Sequence, residues 1–298
     1  MKERTFFEVA RNDYQFLITA SILILWLGGA FLAPWLVPQN PYDLTSFDIL
    51  DSELPPAWIE GGTRQFLFGT DPQGRDILST VFYGMRLSLI ISISAVMIQL
   101  MLGTFLGLMA GYLGGRWDSF IMRTADVQLS LSTLMLTIIT LAIIKNFFAQ
   151  EVYDRLAIYM IIMVIGVAEW PQYARVVRSG VLVEREKEYV AAARVVGVSP
   201  RIILFKHIFP NLISPLLVIA TVQVANAIIS EAALSFLGLG MPPTQPSLGL
   251  LISRGFEYIF SGAWWITFIP SFFLVVLIVT INILGGWFED YFNPKLYK

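Results

Sequence analysis

The chain has 298 residues, of which 56% are hydrophobic and only 14% are charged, and its formal net charge is −2. Soluble domains usually carry nearer a quarter charged residues, so this composition predicts a membrane protein with several spans. The near-neutral charge gives no indication of nucleic-acid binding. The chain has no cysteine and a single histidine, His207, which excludes disulfides, thiolate nucleophiles and histidine-rich metal sites.

The first predicted span covers residues 16–37, which are apolar and long enough to cross a bilayer. Its apolar core is longer than that of a signal peptide and ends in Ala33-Pro34-Trp35 instead of a cleavage site, so we expect an uncleaved span. Residues 38–83 are rich in Pro, Asp, Glu and Gly and too polar for lipid, which predicts a loop outside the bilayer.

Two sequence runs stand at the end of this loop and just after it. The first is Gly69-Thr70-Asp71-Pro72-Gln73-Gly74-Arg75-Asp76, and the second is Tyr83-Gly84-Met85-Arg86-Leu87-Ser88-Leu89. On residue types alone the first is turn-rich, with Asp71-Pro72 opening one turn and Gly74 closing it. Together the two runs resemble a motif in the dipeptide, oligopeptide and nickel branch of the permease subunits of ATP-binding-cassette importers. The resemblance narrows the branch and leaves the solute open.

The second predicted span, residues 87–113, carries a glycine at every fourth position from its middle onwards. These glycines are Gly103, Gly107 and Gly111, followed by Gly115. A helix with this spacing has one face without side chains, on which another helix can lie closely. The pattern therefore predicts a helix-packing surface rather than a binding site.

Charged residues lie within the next two predicted spans, residues 119–148 and 156–173. Arg123 and Asp126 are three residues apart near the start of the third span, a spacing that allows them to pair on one helix face, and we expect them near the membrane surface. Glu169 lies near the end of the fourth span, where aromatic residues on either side suit a membrane interface.

Residues 175–211 form a charged segment between apolar ones. One small apolar face in it follows helical spacing: Tyr189, Ala192, Ala193 and Val196. Gly197 is a predicted helix stop. Ser199-Pro200 predicts the start of a second short helix, which we expect to end at Pro210. On residue types alone, the first of these helices is an amphipathic surface helix.

The order of these residues resembles the signature loop of the same permease subunits, a Glu-Ala-Ala run followed by a glycine and a later Ile-x-x-Pro or Leu-Pro. Ala191-Ala192-Ala193 matches the run with Ala191 in place of Glu, and Ile208-Phe209-Pro210 matches the end. In that family the first helix of the loop, here predicted over residues 184–196, docks on a cytoplasmic ATPase. The resemblance implies coupling roles for Glu188, Tyr189, Ala191, Ala192, Ala193 and Gly197.

The fifth predicted span, residues 212–240, contains a polar stripe. Its members are Gln223, Asn226, Ser230 and Glu231. Polar and ionisable residues inside a span mark a transport path or a partner, so these four are candidates for lining a translocation path. Glu231 has a second interpretation, in which it caps or pairs with another helix. A loop at residues 241–264, a sixth span at residues 265–287 and a polar tail at residues 289–298 complete the chain.

The positive-inside rule orients the predicted spans. With an even number of spans both termini lie on one side, and most of the lysines and arginines fall on that side when it is the cytoplasm. They include Lys2, Arg4, Lys295 and Lys298 at the termini and those of the signature loop. This places both termini and the signature loop in the cytoplasm and the loop at residues 38–83 outside.

The resemblance implies an all-α membrane protein with six transmembrane helices, the type I importer permease fold and a cytoplasmic coupling helix. We expect an N-terminal part at residues 1–86 and a permease core at residues 87–298, with the coupling loop at 175–211. The implied partners are a second, related permease, two cytoplasmic ATPase subunits, an extracytoplasmic solute-binding protein and the lipid bilayer. ATP and Mg would bind the ATPases, so no catalytic residue, cofactor or metal is expected on this chain, which has no P-loop sequence.

The function predicted in this way is that of a permease subunit, forming half of a path for peptides or a related solute in a prokaryotic inner membrane. The alternative is a transporter driven by an ion gradient, with Asp126, Glu169 and Glu231 as ion sites. The lack of an internal repeat and of paired broken helices counts against it. A membrane enzyme has little support, because the chain offers no metal-spaced carboxylates and no acid–base set.

Overall fold

The computed structural model describes residues 10–11, 13–43 and 45–292, so Lys2, Arg4, Lys295 and Lys298 lie outside the described residues. Regular structure in the described ranges is helical, apart from a single antiparallel bridge between Thr70 and Asp76. The helices are α1 (Tyr14–Phe31), α2 (Ala33–Leu36), α3 (Ile77–Leu113), α4 (Gly115–Leu129), α5 (Thr133–Phe147), α6 (Gln150–Ala168), α7 (Trp170–Glu184), α8 (Glu188–Val195), α9 (Pro200–Ile202), α10 (Phe209–Phe236), α11 (Leu248–Phe256) and α12 (Trp265–Phe292). A 3₁₀ turn at Ile49–Asp51 and a π-helical segment at Ile203–Ile208 complete them.

Among the described residues, 4 helices are long and apolar enough to cross a membrane: α1, α3, the continuous stretch Pro200–Phe236, and α12. If α4 and α5 together form one broken span, the number of spans rises to 5; the two helices are bent by 88° relative to each other. The predicted third span is therefore two helices. The predicted fourth span is also divided, since α6 ends at Ala168 and α7 begins at Trp170. The predicted count of six spans is not confirmed.

The division between α6 and α7 has a local cause. Pro171 lies in the first turn of α7 and has no backbone N–H to donate to α6. Gln128 of α4 compensates, because its Nε2 donates to the carbonyl oxygens of Val167 at 3.0 Å and Ala168 at 2.7 Å. The break thus ties α4 to the end of α6.

Helix α3 begins well before the predicted second span, because Asp76 caps it. The Asp76 Oδ2 accepts hydrogen bonds from the Ser79 backbone N at 2.8 Å and from its Oγ at 2.5 Å. The boundary predicted between residues 86 and 87 lies inside α3. The turn predicted just upstream is confirmed, since the Gly74 N donates to the Asp71 carbonyl at 2.9 Å, and Gly74 has a φ of +79°.

The glycine stripe of α3 lies against α7. A Cβ added at Gly107 would lie 2.7 Å from both the Ala174 carbonyl oxygen and the Val177 Cβ. Gly103 and Gly111 meet other residues of α7 in the same way, whereas Gly115 belongs to α4 and faces open space. The two helix backbones therefore approach closely, and movement of α7 has to be accommodated by α3.

The pairing predicted between Arg123 and Asp126 is wrong. Asp126 instead binds Arg175 of α7, with 2.5 Å between Oδ1 and Nη2, and Asp118 forms a two-pronged ion pair with Arg178. Asp118 and Asp126 both face α7, so the arginines of α7 reach them and Arg123 does not pair with Asp126. These two ion pairs fix α4 beside α7.

A buried apolar cluster at the centre joins α3, α10, α11 and α12. Its members include Val81, Met85, Leu89, Ala225, Ile228, Leu251, Leu277 and Ile281. Helix α1 packs on the same cluster through Trp26 and Ala30, and the Trp26 ring stacks on that of Phe273 at 4.9 Å. The first span is therefore part of the same helical body as the rest.

Candidate coupling surface and polar sites of the helical bundle

Helix α8 is shorter than the predicted helix at residues 184–196. Helix α7 continues to Glu184, and residues 185–187 make the turn between the two helices. Most of the predicted coupling residues lie at the surface: Glu188, Tyr189, Ala191, Ala192 and Gly197 are exposed, and Ala193 is half-buried. Five of the six lie on α8, and Gly197 lies two residues past its end.

One residue seats α8 on the bundle. Val190 is fully buried, in a cluster that contains Val177 and Val181 of α7 and Leu212 of α10. The predicted apolar face is only partly seated: Ala193 packs against the same cluster, whereas Ala192 is exposed, Tyr189 is 38% exposed and Val196 is 80% exposed. An apolar face left in solvent at helical spacing is typical of a surface that another protein covers.

A polar group fixes the start of α8, and we call it the Glu184 latch. It consists of Glu184, Lys187, Tyr189 and Asn211. The Glu184 Oε1 accepts from Lys187 Nζ at 2.6 Å, and its Oε2 accepts from the Tyr189 hydroxyl at 2.5 Å and from Asn211 Nδ2 at 3.2 Å. Because Asn211 belongs to α10, the latch ties the end of α7, the start of α8 and the start of α10 together.

The latch also sets the charge of its carboxyl group. Burial acts to raise the pKa of Glu184, but the hydrogen bonds from Lys187 and Tyr189 outweigh it and leave the pKa below its ordinary value. Glu184 is therefore ionised at neutral pH, and its two strongest partners are a cation and a hydroxyl donor.

The predicted helix stop at Gly197 is confirmed. Gly197 has a φ of +82°, its N–H bonds the Arg194 carbonyl at 3.1 Å, and the Val198 N–H bonds the Ala193 carbonyl at 3.0 Å. This is the Schellman arrangement, which satisfies carbonyls at a helix end and favours glycine at the left-handed position.

The predicted helix end at Pro210 is wrong. Pro210 lies in the first turn of α10, and the chain from Pro200 to Phe236 is one continuous helical stretch. Proline lacks the N–H of a regular helical bond, and the local change to π-helical geometry directly before Pro210 lets the chain remain helical past it. The π-helical segment at Ile203–Ile208 joins the predicted second helix to the fifth span.

The polar stripe of α10 is divided between two faces. Gln223 is buried, and its Oε1 accepts from Asn226 Nδ2 at 2.7 Å, while Asn226 is exposed and Ser230 is half-buried. Glu231 lies one residue beyond Ser230 and is rotated about 100° away from it. Glu231 is fully buried and lines no surface of this chain, so the prediction that it lines a path is wrong for this structure.

Glu231 instead joins three helices through serine hydroxyls. We call Glu231, Ser88, Ser235 and Ser247 the Glu231 cluster. The carboxyl accepts from the Ser88 Oγ at 2.8 Å and from the Ser235 Oγ at 2.7 Å, and the Ser247 Oγ lies 3.2 Å from that of Ser235. Ser247 also caps α11, accepting from the Leu250 N at 3.3 Å. The second interpretation of Glu231, a contact with another helix, is the one observed.

Sequence reasoning did not select the partners in either polar group. Glu184 and Lys187 are three residues apart, a spacing that signals a pair on one helical turn. No local sequence pattern identifies Ser88 as a partner of Glu231, because it lies 143 residues earlier in the chain.

Comparison with known proteins agrees with this architecture. Residues 103–298 match the family described as binding-protein-dependent transport system inner membrane component. The di/tripeptide transport system permease protein DppC of Pseudomonas aeruginosa is 36% identical over 92% of this chain and 86% of its own length. The dipeptide permease protein DppC of Escherichia coli K12 is 37% identical over the same shares. The oligopeptide permease protein OppC of Bacillus subtilis is 31% identical over 97% of this chain and 88% of its own.

A solved structure has the same fold. It is an inward-facing form of the MetNI methionine ABC transporter, with a TM-score of 0.56 and 18% sequence identity. The match covers 72% of this chain and 96% of the other.

Proposed function

Because this chain belongs to the family of binding-protein-dependent transport system inner membrane components, we propose that it forms half of the path of an ATP-driven peptide importer. It is a multi-pass protein of the bacterial inner membrane with the type I importer permease fold. The named relatives are permeases for dipeptides, tripeptides and oligopeptides, which supports peptides or a related solute as the cargo. A carrier driven by an ion gradient gains no support from these matches.

Coupling to an ATPase is supported mainly by helix α8, which exposes Tyr189 and Ala192 while its Val190 is buried in the bundle. An ATPase docked on Tyr189 and Ala192 would press on a helix seated by Val190 and tied by the Glu184 latch to α7 and α10. Close packing of α7 on the glycine stripe passes the displacement to α3. ATP binding can shift the spans only if the ATPases contact α8 differently in the two states of the path.

The remaining assignments follow from this mechanism. ATP and Mg bind on two partner ATPases, a second permease completes the path, and a solute-binding protein delivers the cargo from outside. Transport needs no catalytic residue, cofactor or metal on this chain. Both termini and α8 lie in the cytoplasm, and residues 38–76 lie outside, in keeping with the excess of basic residues around α8. Asn226 and Ser230, with Gln223 behind them, line the path on α10.

A single cysteine tests the coupling surface, since the chain has none of its own. We expect Ala192→Cys to crosslink, in membranes from the native host, to a P-loop ATPase, with a yield that changes when ATP is added. Val190→Cys lies on the same helix but is fully buried, so it serves as the matched control and should give no crosslink.

The opposite result is also well defined. If Ala192→Cys reacts with soluble thiol reagents from the cytoplasmic side but joins no protein, α8 is an ordinary surface helix. The ion-driven alternative would then be favoured.

A further inference from the structure

A cavity of about 410 Å³ opens beside the first turns of α3, at the end that the proposed orientation places outside. The loop before α3, helix α3 itself and the loop after α10 form its walls. Its polar and aromatic lining consists of Tyr42, Tyr83, Arg86, Thr244 and Gln245, and Leu87 and Ile90 complete it. This volume lies in the range of sites that enclose a small molecule.

Arg86 is the charged residue of this lining, and it has no acidic partner there. It is half-buried, and no carboxylate among the described residues lies within ion-pair distance of it. Arg75, by contrast, is buried against Asp71, with its Nε and Nη2 at 2.7 and 2.6 Å from Oδ2. Arg254 borders a different cavity, whose lining already includes Asp71 and Glu257. Arg86 is thus a partly desolvated guanidinium without a carboxylate partner among the described residues, and such a group binds an anion favourably.

The position of Arg86 on α3 disfavours lipid as its neighbour. Tyr83, Arg86 and Ile90 share one helix face, and an arginine that faces hydrocarbon is costly. The same face continues towards the other end of α3 with Ile90, Met97 and Met101, which are 37%, 47% and 61% exposed. Methionine side chains adapt to differently shaped partners. A cation at one end of an adaptable apolar stripe suits solutes with a charged end and variable side chains.

Tyr42, in the loop before α3, is a neutral hydrogen-bonding group at the cavity. The Tyr42 ring lies edge-on to that of Tyr83, with 5.1 Å between their centroids. Burial raises the pKa of Tyr42, and the nearby Arg86 guanidinium offsets this only in part. Thr244 and Gln245 add a hydroxyl and a side-chain amide, which suit the backbone groups of a peptide.

We propose that Arg86 binds the carboxylate of the transported solute, which is the C-terminal carboxylate of a short peptide, on its way into the path. This inference rests on the proposed function. Guanidinium and carboxylate match in a two-pronged geometry, so Arg86 would select for a free C-terminus independently of the peptide's side chains.

The test uses the assembled transporter, this chain with its second permease and ATPases, in lipid nanodiscs without the solute-binding protein. A photoreactive tripeptide with a free C-terminal carboxylate is compared with its C-terminal amide. We expect the wild type to reach half-maximal labelling at an about tenfold lower concentration of the free acid. Arg86→Gln should remove this preference, and Arg86→Lys should keep part of it. The ratio is taken within each preparation, so it does not depend on protein yield.

Arg64→Gln is the matched control, since it removes the same charge from an exposed position in the preceding loop and should leave the ratio unchanged. A preference that survives in Arg86→Gln would overturn the proposal. Two further results with Arg86→Gln would also overturn the proposal: an equal loss of labelling by both peptides, and a loss of the second permease from the complex. Either result would show that Arg86 pairs with a group of a neighbouring subunit and not with the peptide.

Peptide uptake by the wild-type transporter with its binding protein distinguishes a failure of the proposed importer function from a failure of the proposed role of Arg86. Absence of uptake would overturn the proposed function itself. Uptake combined with no saturable labelling of the wild type would overturn only the role of Arg86.

Discussion

The carboxyl groups of Glu184 and Glu231 are both held by side-chain hydroxyls, yet their surroundings differ in charge and in burial. Glu184 has a cationic partner, Lys187, and lies where the chain turns from α7 into α8. Glu231 is fully buried and is held by the neutral hydroxyls of Ser88 and Ser235.

The difference predicts different roles for the two groups. The partners of Glu184 reach water, since the Lys187 side chain is 49% exposed and Tyr189 is 38% exposed, while the Glu184 side chain is only 11% exposed. Water can therefore replace part of the hydrogen bonding of the latch when α8 is displaced. The Glu231 cluster has no water to replace its bonds, and opening it would leave buried polar groups unpaired. We therefore expect the latch to govern coupling and the cluster to govern assembly.

The largest expected effect comes from Glu231→Ala. It leaves a cavity and strips the hydrogen-bond partner from Ser88 and Ser235, which should cost about 3 kcal/mol or more. The purified complex should melt at a clearly lower temperature and assemble in lower yield.

Glu231→Gln keeps the volume, and serine hydroxyls can accept as well as donate, so it should cost about 1 kcal/mol. Equal melting temperatures for Glu231→Ala and the wild type would contradict a structural role for the cluster.

Gly197→Val should have the next largest effect. Nothing lies within 4 Å of an added Cβ, so the cost arises only from forcing a β-branched residue into a left-handed backbone, about 1–2 kcal/mol. We expect less peptide transported per ATP hydrolysed, with assembly retained. Asn tolerates this conformation, so Gly197→Asn is the matched control and should stay close to the wild type. Normal coupling by the valine variant would count against a role for this helix end.

Glu184→Gln should weaken coupling more than assembly. It removes the charge that holds Lys187 and one acceptor for Tyr189, a loss of about 1–2 kcal/mol. The control is Glu186→Gln, two residues away, whose side chain is 72% exposed and pairs only with Arg185 among the described residues. A change in transport per ATP that is equal in both variants would show that overall charge, and not the latch, is responsible.

The pH dependence of the latch follows from the lowered pKa of Glu184. A lowered pKa in the folded state means that the latch contributes its full stability above the ordinary carboxyl pKa and loses it as the pH falls through the lowered value. Wild-type coupling should therefore show no loss attributable to Glu184 between about pH 5 and 8. A transition in that range that disappears in Glu184→Gln would contradict the assignment.

Tyr189→Phe should have the smallest effect. It deletes the hydroxyl donated to Glu184 but leaves the bonds from Lys187 and Asn211, so about 1 kcal/mol is expected. The ring remains on the exposed face, so crosslinking from Ala192→Cys should persist. Loss of that crosslink would show that the hydroxyl itself contacts the ATPase.

Much of α8 was predictable because its signals are local. The alternation of charged and small residues, the glycine at position 197 and the four-residue glycine spacing in α3 each act through neighbours within one or two helical turns. The helix, its end and the close approach of α3 to another helix follow from such neighbours. Proline was misjudged at position 210, because its effect depends on where in a helix it falls.

The sequence by itself determined the membrane class, the family, the apolar spans of α1, α3, α10 and α12, and the position of the charged segment that contains α8. Only the tertiary structure decided which face of α8 is seated through Val190, that Asp126 binds Arg175, and that Glu231 meets Ser88 from a distance of 143 residues. It also decided the 88° bend between α4 and α5. The physical reason is that helix formation depends on residues a turn apart, whereas the partner of a buried polar group is set by how whole helices lie against one another.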